Sequence, residues 1–219
     1  MTITSIRIFD LYIFDLDGTL VDSLSQIEKS LNFSREQHSL PKTPKGLVFQ
    51  KLGLPIQDFF SDLDINLEEE TSLIQVFRKN LSQAILKENL LFPSTISLLH
   101  FLKSHNKRIA IATGKSSDMA KSVVKNSQLH GYIDFIQGTD GFPPKPNPEA
   151  LVRCLNHFSL QNAVMIGDRV EDILAAKNAG IPAIGIAQSA HDRNVLLNSG
   201  ATKAFLTIAD LFHNLSSFQ

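Results

Sequence analysis

Four short segments carry side chains able to do chemistry: Asp15-Leu16-Asp17-Gly18-Thr19, Thr113-Gly114-Lys115, Lys145-Pro146-Asn147-Pro148 and Gly167-Asp168 with Asp172. They supply carboxylates, a hydroxyl and lysines. Carboxylates gathered at one place repel one another unless a cation joins them, and a hard divalent cation takes oxygen ligands. Mg²⁺ is the expected occupant, because it keeps part of its water shell and completes the rest with substrate phosphate. Any single Asp after a strand is often only a turn or N-cap residue. The weight lies in the joint pattern, in which a suitable residue type follows each of four strand-like runs.

Those runs read as Ile8–Phe14, Arg108–Ala112, Ile133–Gln137 and Ala163–Ile166, with further ones at Pro182–Ile186 and Lys203–Leu206. From Lys107 onward they alternate with helical stretches at Ser116–His130, Pro148–Phe158 and Val170–Ala179. Ser117 is the expected cap of the first, and Asn147 of the second with Pro148 at N1. Alternation at this spacing predicts an α/β fold with a doubly wound parallel sheet, a Rossmann-like core. Ligands of such sheets bind outside the carboxyl ends of the strands, where the four segments fall.

Between residues 22 and 91 the strand signal disappears. Asp22–His38, Pro44–Phe60 and Leu67–Leu86 read as helices, the last with Leu67, Leu73, Ile74, Phe77, Leu81 and Ile85 on one face. The expected division is a core of residues 1–21 and 92–219 with an inserted helical cap domain at 22–91. The insert must leave and rejoin the sheet near Gly18–Ser23 and Glu88–Pro93, and paired linkers of this kind suit a hinged lid.

Composition narrows the function classes. With 43% hydrophobic and 20% charged residues in 219, the chain has ordinary globular content and can bury a core. Lys and Arg number 21 against 22 Asp and Glu, so no basic excess favours nucleic acid as a partner. The first 18 residues lack a basic start and are interrupted by Asp10 and Asp15, which argues against a signal peptide or membrane helix and for a cytoplasmic protein. One cysteine, Cys154, cannot make an internal disulfide and reads as a core thiol. The seven histidines are scattered without an HExxH pattern, and neither GxxxxGK nor GxGxxG occurs.

The motifs resemble those of the haloacid dehalogenase-like hydrolase superfamily. Asp15-Leu-Asp17-Gly-Thr-Leu-Val-Asp22-Ser is similar to its first motif and Ile111-Ala-Thr113-Gly-Lys to its second. Pro144-Lys145-Pro-Asn-Pro148-Glu is similar to the third, and Gly167-Asp168-Arg-Val-Glu-Asp172 to the fourth. The intervals are 98, 32 and 23 residues, and the resemblance runs from about Asp10 to Leu211. The nearest branch looks like phosphoglycolate phosphatase and its relatives, which have a small helical cap. Gly114 stands where relatives often carry Asn.

This resemblance implies a Mg²⁺-dependent phosphatase acting on a small phosphorylated metabolite. Asp15 would attack phosphorus and become an aspartyl-phosphate. Asp17 would protonate the leaving oxygen and then deprotonate water. Asp15, Asp168 and the Asp17 carbonyl would hold the metal, with Asp172 supporting Lys145 or a water on the metal. Thr113 and Lys145 would meet phosphoryl oxygens, and the backbone N–H groups of Leu16, Asp17 and Gly114 would complete the cradle. An acid at position 17 argues against dehalogenation, because halide leaves without a proton. A phosphomutase on the same scaffold would use the same Asp15 and Asp17. A receiver-type signalling module also uses Asp, Thr, Lys and Mg²⁺, but a helical insert does not belong there.

Substrate choice is expected to reside in the insert. Residues 35–51 hold Arg35, Lys42, Lys45 and Lys51 against Glu36, which reads as a solvated basic face. Lys51, just before Gly53-Leu54-Pro55, is the candidate contact for a second anionic group on the substrate. The sequence admits a monomer or a homodimer.

Overall fold

The computed structural model describes residues 9–44, 46–51, 56–87 and 90–217. Expectations for Ile8, Lys45, Gly53, Leu54, Pro55 and Glu88, and for the Ile85 side chain, lie outside the described residues. The chain divides into two compact units, one interrupted between Val21 and Leu91 and the other formed by Asp22–Leu90.

The first unit is the doubly wound α/β fold that the alternation predicts. Its strands are β1 (Leu11–Phe14), β2 (Arg108–Ala112), β3 (Phe135–Gln137), β4 (Ala163–Gly167), β5 (Ala183–Ile186) and β6 (Lys203–Phe205). They form one parallel sheet in the order β3-β2-β1-β4-β5-β6. Every residue of β1 and β4 is buried, as a parallel strand covered on both faces requires. The strand order reverses at β1, whose neighbours are β2 and β4. Register fixes the strand ends: Phe14 pairs with Ile111 on one side and Ile166 on the other. The residues just beyond them therefore emerge at one edge.

Among the described residues, six helices belong to this unit: α4 (Thr95–Ser104), α5 (Ser117–Lys125), α6 (Glu149–Phe158), α7 (Val170–Asn178), α8 (Ala190–Asn198) and α9 (Ile208–Ser216). The sequence reading missed α4, α8 and α9. In α8 only Leu196 is buried, so an apolar period hardly exists there. Two caps differ from expectation. Ser116, not Ser117, caps α5, accepting from the Met119 N–H at 3.4 Å. Ser117 instead accepts from the Gly138 N–H and bonds Asp140. Pro148 occupies the N-cap of α6, and Asn147 accepts from the Glu149 N–H at 2.9 Å. Cys154 lies in the sheet–helix core, where burial pushes its thiol up to about 12.

The second unit contains α1 (Ser23–Gln37), α2 (Leu47–Lys51), a 3₁₀ turn at Ile56–Phe60 and α3 (Leu67–Lys87). The expected single helix at Pro44–Phe60 is thus two short elements, in a stretch punctuated by Pro44, Gly46, Gly53 and Pro55. Leu31, Val48, Phe59, Phe60, Leu73, Ile74 and Phe77 form its core. Arg35 departs from the solvated face expected of it: its side chain is fully buried. Its guanidinium donates to the carbonyls of Pro41 and Phe59 at 3.3 and 3.1 Å and takes both Asp62 carboxylate oxygens. That bond holds the Asp62 carboxyl below its ordinary range. A buried arginine needs such partners, because an unpaired charge in a core is strongly unfavourable. Arg35 therefore ties α1 to the following loop and the 3₁₀ turn.

Candidate active site

All the motif residues of the first unit gather at the carboxyl edge of its sheet. Asp15 directly follows β1, and its N–H donates to the Ile166 carbonyl of β4 at 2.8 Å. Thr113 directly follows β2, and its N–H donates to the Gln137 carbonyl of β3 at 3.0 Å. Asp168 follows β4, and Asp172 sits in the first turn of α7, where a helix N-terminus favours negative charge. Lys145 precedes α6 in the loop from β3.

Lys145 joins these segments. Its ammonium donates to Asp15 Oδ1 at 2.6 Å, to Asp172 Oδ1 at 2.5 Å and to the Ala112 carbonyl at 3.1 Å. An ammonium has three protons, so these acceptors use them all. Burial disfavours its charge, yet Asp15 and Asp172 outweigh burial and raise its pKa above the usual lysine value.

The carboxylates outnumber this cation. Oxygens of Asp15, Asp168 and Asp172 lie within 4.8 Å of one another. Burial drives Asp15 up to about 7 against the pull of Lys145, with the charge of Asp172 adding to the rise. Asp168 is raised well above its ordinary value by burial and then by Asp15 and Asp172, while the Thr19 hydroxyl, donating at 3.0 Å, opposes the rise. Three close carboxylates against one ammonium leave excess negative charge, and their all-oxygen donor set fits a small divalent cation such as Mg²⁺.

Two glycines make the approach possible. Gly18 has φ +85°, and a Cβ there would run into the Asp168 carboxylate. A Cβ on Gly167 would collide with the Asp172 side chain.

Asp17 stands apart from the three-carboxylate group. Its side chain pairs with Lys115 Nζ at 2.5 Å. Among the described residues, no hydrogen bond uses the Asp17 carbonyl or the N–H groups of Leu16, Asp17 and Gly114. Thr113 is 2% exposed and accepts from the Lys115 N–H at 3.3 Å, which leaves its own hydroxyl hydrogen to give. A Cβ on Gly114 would meet nothing within 4 Å, so the space for a side chain exists there.

Two partners had no assigned part in the sequence reading: Thr19, which holds Asp168, and Lys115, which holds Asp17. Both follow strand ends in the motif segments, and that placement is the signal that could have marked them. Lys51 belongs to the second unit, where its Nζ donates to Ser61 Oγ at 3.2 Å.

Comparison with known proteins agrees with this geometry. The probable phosphatase IndB of Dickeya dadantii is 31% identical over 194 residues, spanning 85% of this chain and 84% of that one. A phosphoglycolate phosphatase of Caulobacter vibrioides is 28% identical over 180 residues, spanning 78% and 76%. A Thermotoga maritima structure, provisionally named a beta-phosphoglucomutase, has the same fold with a TM-score of 0.83 at 23% identity, over 96% of this chain and 100% of that one. The family model for haloacid dehalogenase-like hydrolases matches residues 12–186, which hold every motif residue described above, and the chain belongs to that family.

Proposed function

We propose that the protein is a Mg²⁺-dependent phosphatase that hydrolyses a small phosphorylated metabolite, phosphoglycolate or a close analogue, through an aspartyl-phosphate on Asp15. The observation that carries this reading is the close triplet of Asp15, Asp168 and Asp172, two of which, Asp15 and Asp172, share the Lys145 ammonium. Sequence relatives named phosphatases support hydrolysis over transfer to a second sugar position.

Asp15 attacks phosphorus, the ester P–O bond breaks, and the departing oxygen takes a proton from Asp17. Water then attacks the aspartyl-phosphate, Asp17 takes its proton, and phosphate leaves with the Asp15 carboxylate restored. Thr113 donates its hydroxyl to a phosphoryl oxygen, and the N–H groups of Leu16, Asp17 and Gly114 receive the others. Lys145 keeps Asp15 in place and offsets its charge as the anionic substrate approaches. Asp15, Asp168 and the Asp17 carbonyl would hold Mg²⁺, with Asp172 beside them. When bound, the ion would supply neutralisation of the phosphoryl charge. Lys51 is the proposed contact for a second anionic group on the substrate.

The test is a screen of phosphorylated metabolites, 2-phosphoglycolate and sugar phosphates included, for inorganic phosphate release with Mg²⁺. Stoichiometric phosphate release from a preferred ester is the expected result. Isomerised sugar phosphate without free phosphate would replace this reading with the mutase one.

A further inference from the structure

The carboxylate of Asp17 is held differently from its neighbours. Asp15 and Asp172 share the Lys145 ammonium, and Asp168 takes the Thr19 hydroxyl. Asp17 Oδ2 meets Lys115 Nζ at 2.5 Å, and among the described residues its carboxylate has no other partner. The two side chains are 18% and 19% exposed, so the pair is shielded but reachable.

Lys115 is itself well anchored. Its N–H donates to Thr113 Oγ1 at 3.3 Å, and its carbonyl accepts from the Thr139 N–H at 2.8 Å. Gly138 comes so close that a Cβ there would press on the Lys115 carbonyl at 2.5 Å. The loop after β2 is thus pinned to the loop after β3, and its lysine reaches the loop after β1.

A carboxylate that shuttles a proton works only if the right oxygen faces the leaving group. We propose that Lys115 is the positioning residue for Asp17: it holds Oδ2, so that Oδ1 is the oxygen that gives the proton to the leaving group and later takes one from water. This rests on the phosphatase reading above. The proton moves from Asp17 Oδ1 to the ester oxygen as the P–O bond breaks, and Lys115 loses no proton. A partly exposed ion pair contributes little to folding stability, so the effect of losing it should appear in catalysis.

Two esters of nearly equal shape separate this role from a structural one. Phenyl phosphate releases a poor leaving group that needs the proton, whereas p-nitrophenyl phosphate releases a good one that hardly does. Values of kcat/KM with Mg²⁺ would be measured for the wild type, Lys115→Met, Lys115→Arg, Asp17→Asn and the double variant Asp17→Asn/Lys115→Met. The expected result is that Lys115→Met loses about tenfold or more on phenyl phosphate and much less on p-nitrophenyl phosphate. Lys115→Arg should recover most of that loss, the double variant should match Asp17→Asn alone, and melting temperatures should stay close together. Equal losses on both esters, or additive losses in the double variant, would overturn the assignment while leaving the phosphatase reading in place. If the wild type turns over neither ester nor any metabolite in the screen, the phosphatase reading falls and the role of Lys115 falls with it.

Discussion

Lys145 binds Asp15 and Asp172 with one ammonium, at 2.6 and 2.5 Å, and so joins the end of β1 to the first turn of α7. Its third proton goes to the Ala112 carbonyl at the end of β2. A group that approaches this ammonium must take the place of an acceptor already there or act through its charge alone. Lys145→Met should therefore do more than remove a substrate contact, because it leaves Asp15 and Asp172 buried without their shared counterion. We expect kcat to fall by about 10²-fold or more, as for loss of a charged donor at a phosphoryl site. Steady-state kinetics of the purified variant checks this. A rise in KM alone would reduce Lys145 to a binding residue.

Thr19 controls the third carboxylate. Its hydroxyl donates to Asp168 Oδ1 at 3.0 Å and is fully buried. Thr19→Val keeps the shape and removes the bond, so the Mg²⁺ concentration for half-maximal activity should rise about 10-fold or more, as when a hydrogen bond that orients a metal ligand is lost. Titration of activity with Mg²⁺ measures the shift. An unchanged titration would show that Asp168 needs no help from Thr19.

The raised carboxyls predict a pH dependence in chelator. Asp15 is pushed from 3.8 up to about 7 by burial, and Asp168 is shifted in the same direction. A group whose folded pKa is raised contributes stability that is fully present below its unfolded pKa and lost as pH rises through its folded one. Metal-free protein should thus lose stability from this site between about pH 4 and pH 7. Asp15→Asn should flatten that part of the profile, and Mg²⁺ should oppose the loss. Melting temperatures across that range, with and without chelator, provide the check.

Arg35 and Asp62 give the helical unit a prediction of its own. Asp62→Asn removes the negative charge and turns one of the two oxygens that face the guanidinium into a donor. Loss of the charged partner should cost about 1.5–3 kcal/mol, read from urea unfolding. The sign with pH is opposite to that of Asp15. Asp62 is held low, so its contribution is present above the ordinary carboxylate pKa and lost as pH falls through its depressed value.

The sheet and most of the site were legible because their signals are local. A buried parallel strand such as Ala163–Gly167 is a continuous apolar run, and the candidate carboxylate Asp168 follows it at once. The parallel order then brings Asp15, Thr113 and Asp168 to one edge without further information. Arg35 shows what is not legible. In sequence it stands among lysines, and only the fold of the following loop and the 3₁₀ turn around it makes it a core residue. The pairing of Asp17 with Lys115 depends in the same way on how two loops approach, which spacing along the chain does not encode.

Identification of the phosphorylated residue decides whether Asp15 is the nucleophile. Asp17→Asn should form the aspartyl-phosphate from p-nitrophenyl phosphate, whose leaving group needs little acid, yet hydrolyse it slowly for want of a base. Quenching this reaction in acid and reducing with borohydride converts an aspartyl-phosphate to homoserine, which peptide mass mapping locates. Homoserine at position 15, dependent on substrate and Mg²⁺, is the expected result. Homoserine at another aspartate, or none while phosphate is still released, would contradict Asp15 as the nucleophile.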